Sequence, residues 1–174
     1  IGASIGQSPQ LLLQSKDGKF EKRNSGPWEK QRDLETTDVL FFDADSDGDL
    51  DIYVTSGSNE HAVNSPKYAD HLYINDGMAT FSDGSSKLPK LYFSKSTVRA
   101  ADFDGDKDLD LFVGGRLVPG KYALSERSAI LINNKGIYED RTKEICGEMI
   151  EPYGCVTDAT WADLDRDGDM DLVV

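Results

Sequence analysis

A nine-residue acidic segment occurs three times in this chain, and its spacing restricts the folds open to it. The copies read DADSDGDLD at 43–51, DFDGDKDLD at 102–110 and DLDRDGDMD at 163–171, so their starts lie 59 and 61 residues apart. A period near 60 residues marks a chain built from stacked copies of one supersecondary unit. The flanks repeat with it. TDVLFF (37–42), STVRAA (96–101) and TDATWA (157–162) precede the segments; Ile52-Tyr53-Val54, Leu111-Phe112-Val113 and Leu172-Val173-Val174 follow them. Such short β-branched or aromatic runs argue for a strand on each side of an acidic loop.

A second element recurs out of phase with the first. It reads LLLQSKDGKFEK (11–22), HLYINDGMATFSD (71–83) and AILINNKGIYED (129–140). Each is a strand, a turn closed by glycine and a second strand led by Phe20, Phe81 or Tyr138. Glycine supplies the positive φ that a tight hairpin needs. One unit is therefore strand, acidic loop, strand, longer loop, strand, glycine turn, strand. The expected fold class is all-β: β-propeller blades of four antiparallel strands. Residues 36–84 and 97–141 read as full blades, 11–22 as the second hairpin of a blade and 157–174 as the first hairpin of another. That makes about three blade equivalents, fewer than the usual four to eight. The chain is expected to be part of a larger propeller, or to self-assemble through its open blade edges, because unpaired strand edges seek partners. Helical signals are sparse; PWEKQRDLE (27–35) is expected to form at most a helical turn.

The charge belongs to the loops. The formal net charge of the 174 residues is -13. The three segments hold fifteen of the 32 acidic residues and two of the 19 basic ones, Lys107 and Arg166, leaving seventeen of each elsewhere. A general acidic surface does not fit that distribution, and no basic stripe offers a footprint for nucleic acid. A hydrophobic content of 38%, with two Trp, seven Tyr and seven Phe, argues for a packed domain over disorder. No run approaches the roughly 18 apolar residues of a membrane span. The chain, from Ile1 to a closing DLVV, reads as a mature or truncated piece. Cys146 and Cys155 could staple the CGEMIEPYGC loop in an oxidising compartment.

Alternating aspartates in a tight loop bring hard oxygens to one point, which suits calcium with its 6 to 8 oxygen ligands at ~2.3–2.6 Å. Three such loops point to about three Ca2+ sites. The expected side-chain ligands are Asp43, Asp45, Asp47 and Asp51, with Asp49 giving its backbone carbonyl. The second set is Asp102, Asp104, Asp106 and Asp110 with Asp108; the third is Asp163, Asp165, Asp167 and Asp171 with Asp169. Magnesium fits less well, since it prefers octahedral sites at ~2.0–2.1 Å and keeps its waters. An EF-hand is excluded: it needs Glu at position 12 and flanking helices, whereas position 12 here is Val54, Val113 and Val174, each on a predicted strand. Lys107 stands where the other loops have Gly48 and Gly168, so the second site is expected to be intact but weaker or differently shaped.

The calcium loops, the LYINDG hairpin and the run VRAADFDGDKDLDLFVGGRLVPGKY together resemble FG-GAP/VCBS repeat proteins, the integrin α-like β-propeller repeats of bacterial secreted and surface proteins. The resemblance runs from PQLLLQ to DLVV. It implies calcium at the hairpin between a blade's first two strands, an extracellular or cell-surface address, and a role in adhesion or ligand recognition. The address also agrees with the ~10⁻⁴–10⁻³ M affinities typical of extracellular calcium modules.

An enzyme is not expected. His61 lies in a polar loop, His71 opens a strand, and no GxSxG motif occurs. Coordination would hold the aspartates ionised, and a catalytic pair usually occurs once rather than in every repeat. The enzymatic alternative is a calcium-dependent polysaccharide lyase, for which Lys121 and Tyr122 are the candidates. A glycan or protein ligand would instead meet the longest loops, 55–70 and 114–127, through Asn59, Glu60, His61, Tyr68, Arg116 and Tyr122.

Overall fold

The computed structural model describes residues 2–23, 25–147 and 154–174. Among them the chain forms twelve strands and one α-helix of five residues. β1 (Leu12–Gln14) and β2 (Phe20–Lys22) make an antiparallel hairpin. β3 (Thr36–Phe42), β4 (Asp51–Ser56), β5 (His71–Asn75) and β6 (Phe81–Asp83) form a four-stranded antiparallel meander. β7 (Lys95–Ala101), β8 (Asp110–Gly115), β9 (Ala129–Asn134) and β10 (Ile137–Asp140) form a second one. The helix α1 (Thr142–Cys146) follows, and β11 (Thr160–Ala162) and β12 (Asp171–Val173) make the last hairpin. The all-β expectation of four-stranded antiparallel units is met. The sheets are open, as in part of a propeller. The segment expected to turn helically forms one 3₁₀ turn, Pro27–Lys30.

The sheets stack face to face in chain order, and this explains the sequence pattern. Between the two meanders lies the main core, where Tyr53, Leu72 and Phe42 of the first meet Val98, Leu111 and Leu131 of the second. The opposite face of the first meander, Ile52, Val54 and Tyr73, packs on Trp28 and Leu11. The opposite face of the second, Phe112 and Ile130, packs on Trp161, Leu172 and α1. A strand covered on both faces needs a continuous apolar run rather than alternation. Every residue of β4 and of β8 is accordingly buried.

The two meanders are the same object in detail. β3 pairs with β4 through Phe42↔Asp51, and β7 with β8 through Ala101↔Asp110. Both first strands carry a register shift at the same place, between Thr36 and Asp38 and between Lys95 and Thr97. The fourth strands end on the same cap: Asp83 accepts from Ser85 N–H at 2.9 Å, and Asp140 from Thr142 N–H at 3.2 Å. Those two hydroxyls accept in turn from Leu72 N–H and Ile130 N–H. His71 stacks on Tyr73 and shares its Nδ1 with Gln31 and the Ser85 hydroxyl, so it belongs to this packing.

Two of the ties between adjacent units are ionic. Arg99 on β7 pairs with Asp38 on β3 at 2.7 Å, pairs with Asp158 ahead of β11, and donates to Ala159 O at 2.9 Å. One guanidinium thus spans three consecutive units along their first strands. Arg99→Ala is expected to cost about 1–3 kcal/mol, since charge-assisted hydrogen bonds contribute about 1.5–3 kcal/mol each and this side chain is partly exposed. Urea denaturation measures it; a change within a few tenths of a kcal/mol would contradict the bridging role.

The second tie is a buried ion pair. Lys95 Nζ lies 3.1 Å from Asp70 Oδ1, and both side chains are almost wholly excluded from water. Lys95 also donates to the carbonyls of Leu91, at 2.9 Å, and Tyr68. Asp70 accepts from Tyr53 OH at 2.8 Å and from Ser56 N–H at 2.9 Å. Burial pulls the Lys95 ammonium below its usual range and pushes the Asp70 carboxyl above its own, while their mutual attraction opposes both shifts.

Cys146 and Cys155 are free thiols, so the staple they could make across that loop is not formed. Cys146 is partly buried among the residues that pack on α1, and Cys155 is exposed. Residues 148–153 of that loop lie outside the described residues.

Candidate metal centre

Each acidic loop folds back on itself by giving its own carboxylates the loop's backbone N–H groups. In the first loop, Asp43 accepts from Asp47 N–H at 3.2 Å and Gly48 N–H at 3.0 Å, and Asp47 accepts from Asp49 N–H at 3.1 Å. In the third, Asp163 accepts from Arg166 and Gly168, Asp165 from Asp167, and Asp167 from Asp169. The second repeats this with Asp102 on Gly105, Asp104 on Asp106 and Asp106 on Asp108.

This folding gathers positions one, three and nine of every loop. Asp43, Asp45 and Asp51 each offer an oxygen within 4.8 Å of the others, as do Asp102, Asp104 and Asp110, and Asp163, Asp165 and Asp171. Positions five and seven, namely Asp47, Asp49, Asp106, Asp108, Asp167 and Asp169, are not in these triads. The position-five carboxylates are occupied by the position-seven N–H groups. Asp108 accepts from Ser46 Oγ at 3.0 Å and Lys135 N–H at 2.9 Å, joining the second loop to the first.

The ninth aspartate anchors each triad to the sheet. Asp51 accepts from Ala44 N–H at 2.9 Å and from Asn75 N–H, on β5, at 2.8 Å. Asp110 accepts from Phe103 N–H at 3.1 Å and from Asn133 N–H, on β9, at 2.8 Å. Both carboxylates are fully buried, and desolvation pushes them above the usual aspartate range despite those N–H groups. Asp171 keeps the first bond, from Leu164 N–H at 2.9 Å, and is half-buried; among the described residues no second N–H reaches it. Asn75 and Asn133 were not singled out in the sequence. Their recurrence at the end of LYIN and LIN was the available signal.

The first loop sits in a crevice between units. Asn133 Nδ2 donates to Ala44 O at 3.0 Å, and a side chain on Gly136 would meet Asp45 Cβ at 3.0 Å, so glycine is needed there for space as well as for its φ of 83°. Lys87 Nζ lies 3.4 Å from Asp45 Oδ2. Asp45 Oδ1 and Asp49 Oδ1 are buried and find no hydrogen-bond donor. Buried carboxylate oxygens without donors are costly unless a cation satisfies them. A hard, all-oxygen set of this kind fits an alkaline-earth ion.

Lys107 departs less than expected from the other loops. It takes a left-handed φ of 80°, beside 92° for Gly48 and 99° for Gly168. Position four is left-handed too, and there the second loop has Gly105 where the others have Ser46 and Arg166. Each loop therefore has one glycine and one side chain across its two left-handed positions, and the second triad is assembled like the others. The visible difference is that Asp102 lacks the position-six N–H bond that Asp43 and Asp163 accept. Lys107→Gly is expected to raise stability by up to about 1 kcal/mol, as the left-handed penalty is relieved. A destabilised variant in thermal melts would contradict this.

The long loops lie at the far end of the strands. β8 runs from Asp110 in the acidic triad to Gly115, so these loops stand about 17 Å from the carboxylates. Asn59 Oδ1 accepts from Gly120 N–H at 2.6 Å, joining the two loops. Glu60, Arg116 and Lys121 are exposed, and Tyr122 is 91% exposed. Tyr68 is not available to a ligand: it is buried, and its hydroxyl bonds to the backbone of His61.

Residues 56–113 match the family of the FG-GAP-like repeat. The match takes in β5 to β7, the second acidic loop and most of β8. That matched third supports reading the chain as an FG-GAP-like repeat protein, and its four-stranded antiparallel sheets agree with a β-propeller-like repeat module. No curated protein matches the chain. Among the described residues, no helix is long and apolar enough to cross a membrane.

Proposed function

We propose that the chain is a calcium-binding, non-enzymatic recognition module that works outside the cell. The observation that carries this is the repeated Asp triad, whose first copy also holds a buried oxygen, Asp45 Oδ1, with no donor. Calcium would be held by Asp43, Asp45 and Asp51, by Asp102, Asp104 and Asp110, and by Asp163, Asp165 and Asp171, and would supply charge neutralisation there. Its role is structural: it joins the start of an acidic loop to the strand that follows, so the first hairpin of each unit is pinned. Millimolar calcium outside cells and the resemblance to surface repeat proteins support an extracellular or cell-surface address.

The ligand surface is the opposite end, where Asn59, Glu60, Arg116 and Tyr122 present polar and aromatic groups to a glycan or protein. A lyase reading needs a base beside a metal-bound uronate, and Lys121 and Tyr122 stand a strand's length from the triads.

Calorimetric titration of the whole chain with calcium is the test. Three sites are expected, and Asp51→Ala should remove one while leaving the other two titratable. No heat and no stoichiometry up to about 10 mM calcium would exclude the reading, since even extracellular modules bind by 10⁻³ M.

A further inference from the structure

On the calcium reading of the triads, we propose that the first and second sites take the ion cooperatively and that Asn133 is the positioning residue that couples them. Occupying either loop pre-orders the other.

Asn133 lies on β9 and is 1% exposed. Each of its polar groups is tied to one of the two loops or to the turn beside them. Its backbone N–H goes to Asp110, the position-nine ligand of the second triad, at 2.8 Å. Its side-chain Nδ2 donates to Ala44 O in the first loop at 3.0 Å and lies 3.3 Å from Leu109 O in the second. Its Oδ1 accepts from Gly136 N–H at 2.7 Å, which fixes the way the amide faces. Ala44 stands between the ligands Asp43 and Asp45, and gives its own N–H to the third ligand, Asp51, at 2.9 Å. A run of hydrogen bonds therefore leads from Asp110 through Asn133 and Ala44 to Asp51. All four residues are at most 1% exposed, so water does not compete along it.

Three further contacts join the same two loops. Ser46 Oγ in the first loop donates to Asp108 Oδ1 in the second at 3.0 Å. Asp108 Oδ2 accepts from Lys135 N–H, in the turn after Asn133, at 2.9 Å. The Tyr138 hydroxyl accepts from Asn133 Nδ2 at 3.0 Å and lies 3.4 Å from Ala44 O and 3.3 Å from Leu109 O.

The sign of the coupling follows from entropy. Fixing a loop around an ion costs conformational freedom. Once Ala44 and Asn133 are ordered by the first ion, part of that cost is already met for the second, which gives positive cooperativity without a change of shape. Repulsion between the two ions opposes it. Packed sheets stand about 10 Å apart, roughly one Debye length at 0.1 M salt, so salt screens the repulsion and leaves the hydrogen-bonded link.

Calorimetric titration with calcium at 0.15 M salt tests this in the Asp163→Ala chain, which lacks a ligand of the third triad. The second ion should bind about fivefold or more tighter than independent sites allow, as ordinary coupling energies give. Ser46→Ala, an exposed change, should reduce that factor, and Asn133→Ala should bring it to one. Nuclear magnetic resonance of the Asn133 side-chain amide gives a second readout, and it leaves Asn133 in place should Asn133→Ala fail to fold. That amide should shift when calcium enters the first site of Asp104→Ala, and equally when it enters the second site of Asp45→Ala. Independent sites, or an amide that follows only one of them, would overturn the coupling while the calcium reading stands. Cooperativity that survives both substitutions would overturn the role of Asn133. Absence of binding at both sites would overturn the coupling and the calcium reading together.

Discussion

Excess EGTA is expected to lower the melting temperature of the calcium-loaded protein by roughly 10–20 °C. A ligand that binds only the native state at 100 times its Kd stabilises by about 2.7 kcal/mol per site. Each kcal/mol moves the melting temperature of a chain of this size by about 2–4 °C. The two triads anchored in full sheets, those ending in Asp51 and Asp110, suffice for that shift. Physically, calcium takes up the Asp45 oxygen that no donor reaches, and offsets the desolvation that pushes Asp51 and Asp110 upward. Differential scanning calorimetry in calcium and after chelation measures the shift. An unchanged melting curve would refute a structural role for the ion.

Lys95→Met is expected to destabilise the chain by about 3–5 kcal/mol, the cost of leaving one member of a buried pair unpartnered. Asp70 would keep Tyr53 OH and Ser56 N–H but lose its ion-pair partner, at 0% and 3% side-chain exposure for the pair. The two carbonyls that Lys95 satisfies would lose a donor as well. The second meander shows how the same place is built without charge: Phe112 stands for Tyr53, and the Ser128 hydroxyl stands for Asp70 in accepting from Gly115 N–H at 3.1 Å. Tyr53→Phe and Asp70→Ser, added to Lys95→Met, should therefore recover most of the loss. Urea denaturation of the single and triple variants decides it. A single variant within about 1 kcal/mol of the parent would contradict the account, as would a triple variant no better than the single.

The strand order was legible because the same pattern is written more than once, and a pattern in phase with itself outweighs weak local propensity. What escaped the sequence is the set of contacts that join units about 60 residues apart. Lys95 in KSTVRAA reads as a solvated strand end, and only its distance to Asp70 makes it a core residue. Arg99 reads as the polar member of an alternation, yet it bridges two aspartates from neighbouring units. Tyr68 looked like an exposed loop aromatic and is buried, because its hydroxyl satisfies the backbone of its own loop. The acidic loops were legible as clusters of hard ligands. Their division of labour was not: positions one, three and nine converge, while positions five and seven stay outside the triads. The exchange of glycine between positions four and six also hid in the sequence, because both positions are left-handed and only one was recognised.

The proposed function depends on three acidic triads acting as calcium sites. Anomalous scattering from crystals grown with calcium tests this most directly. Three peaks are predicted, one at each triad, each about 2.3–2.6 Å from oxygens of positions one, three and nine. Triads with no anomalous density at millimolar calcium, or peaks elsewhere on the chain, would contradict it.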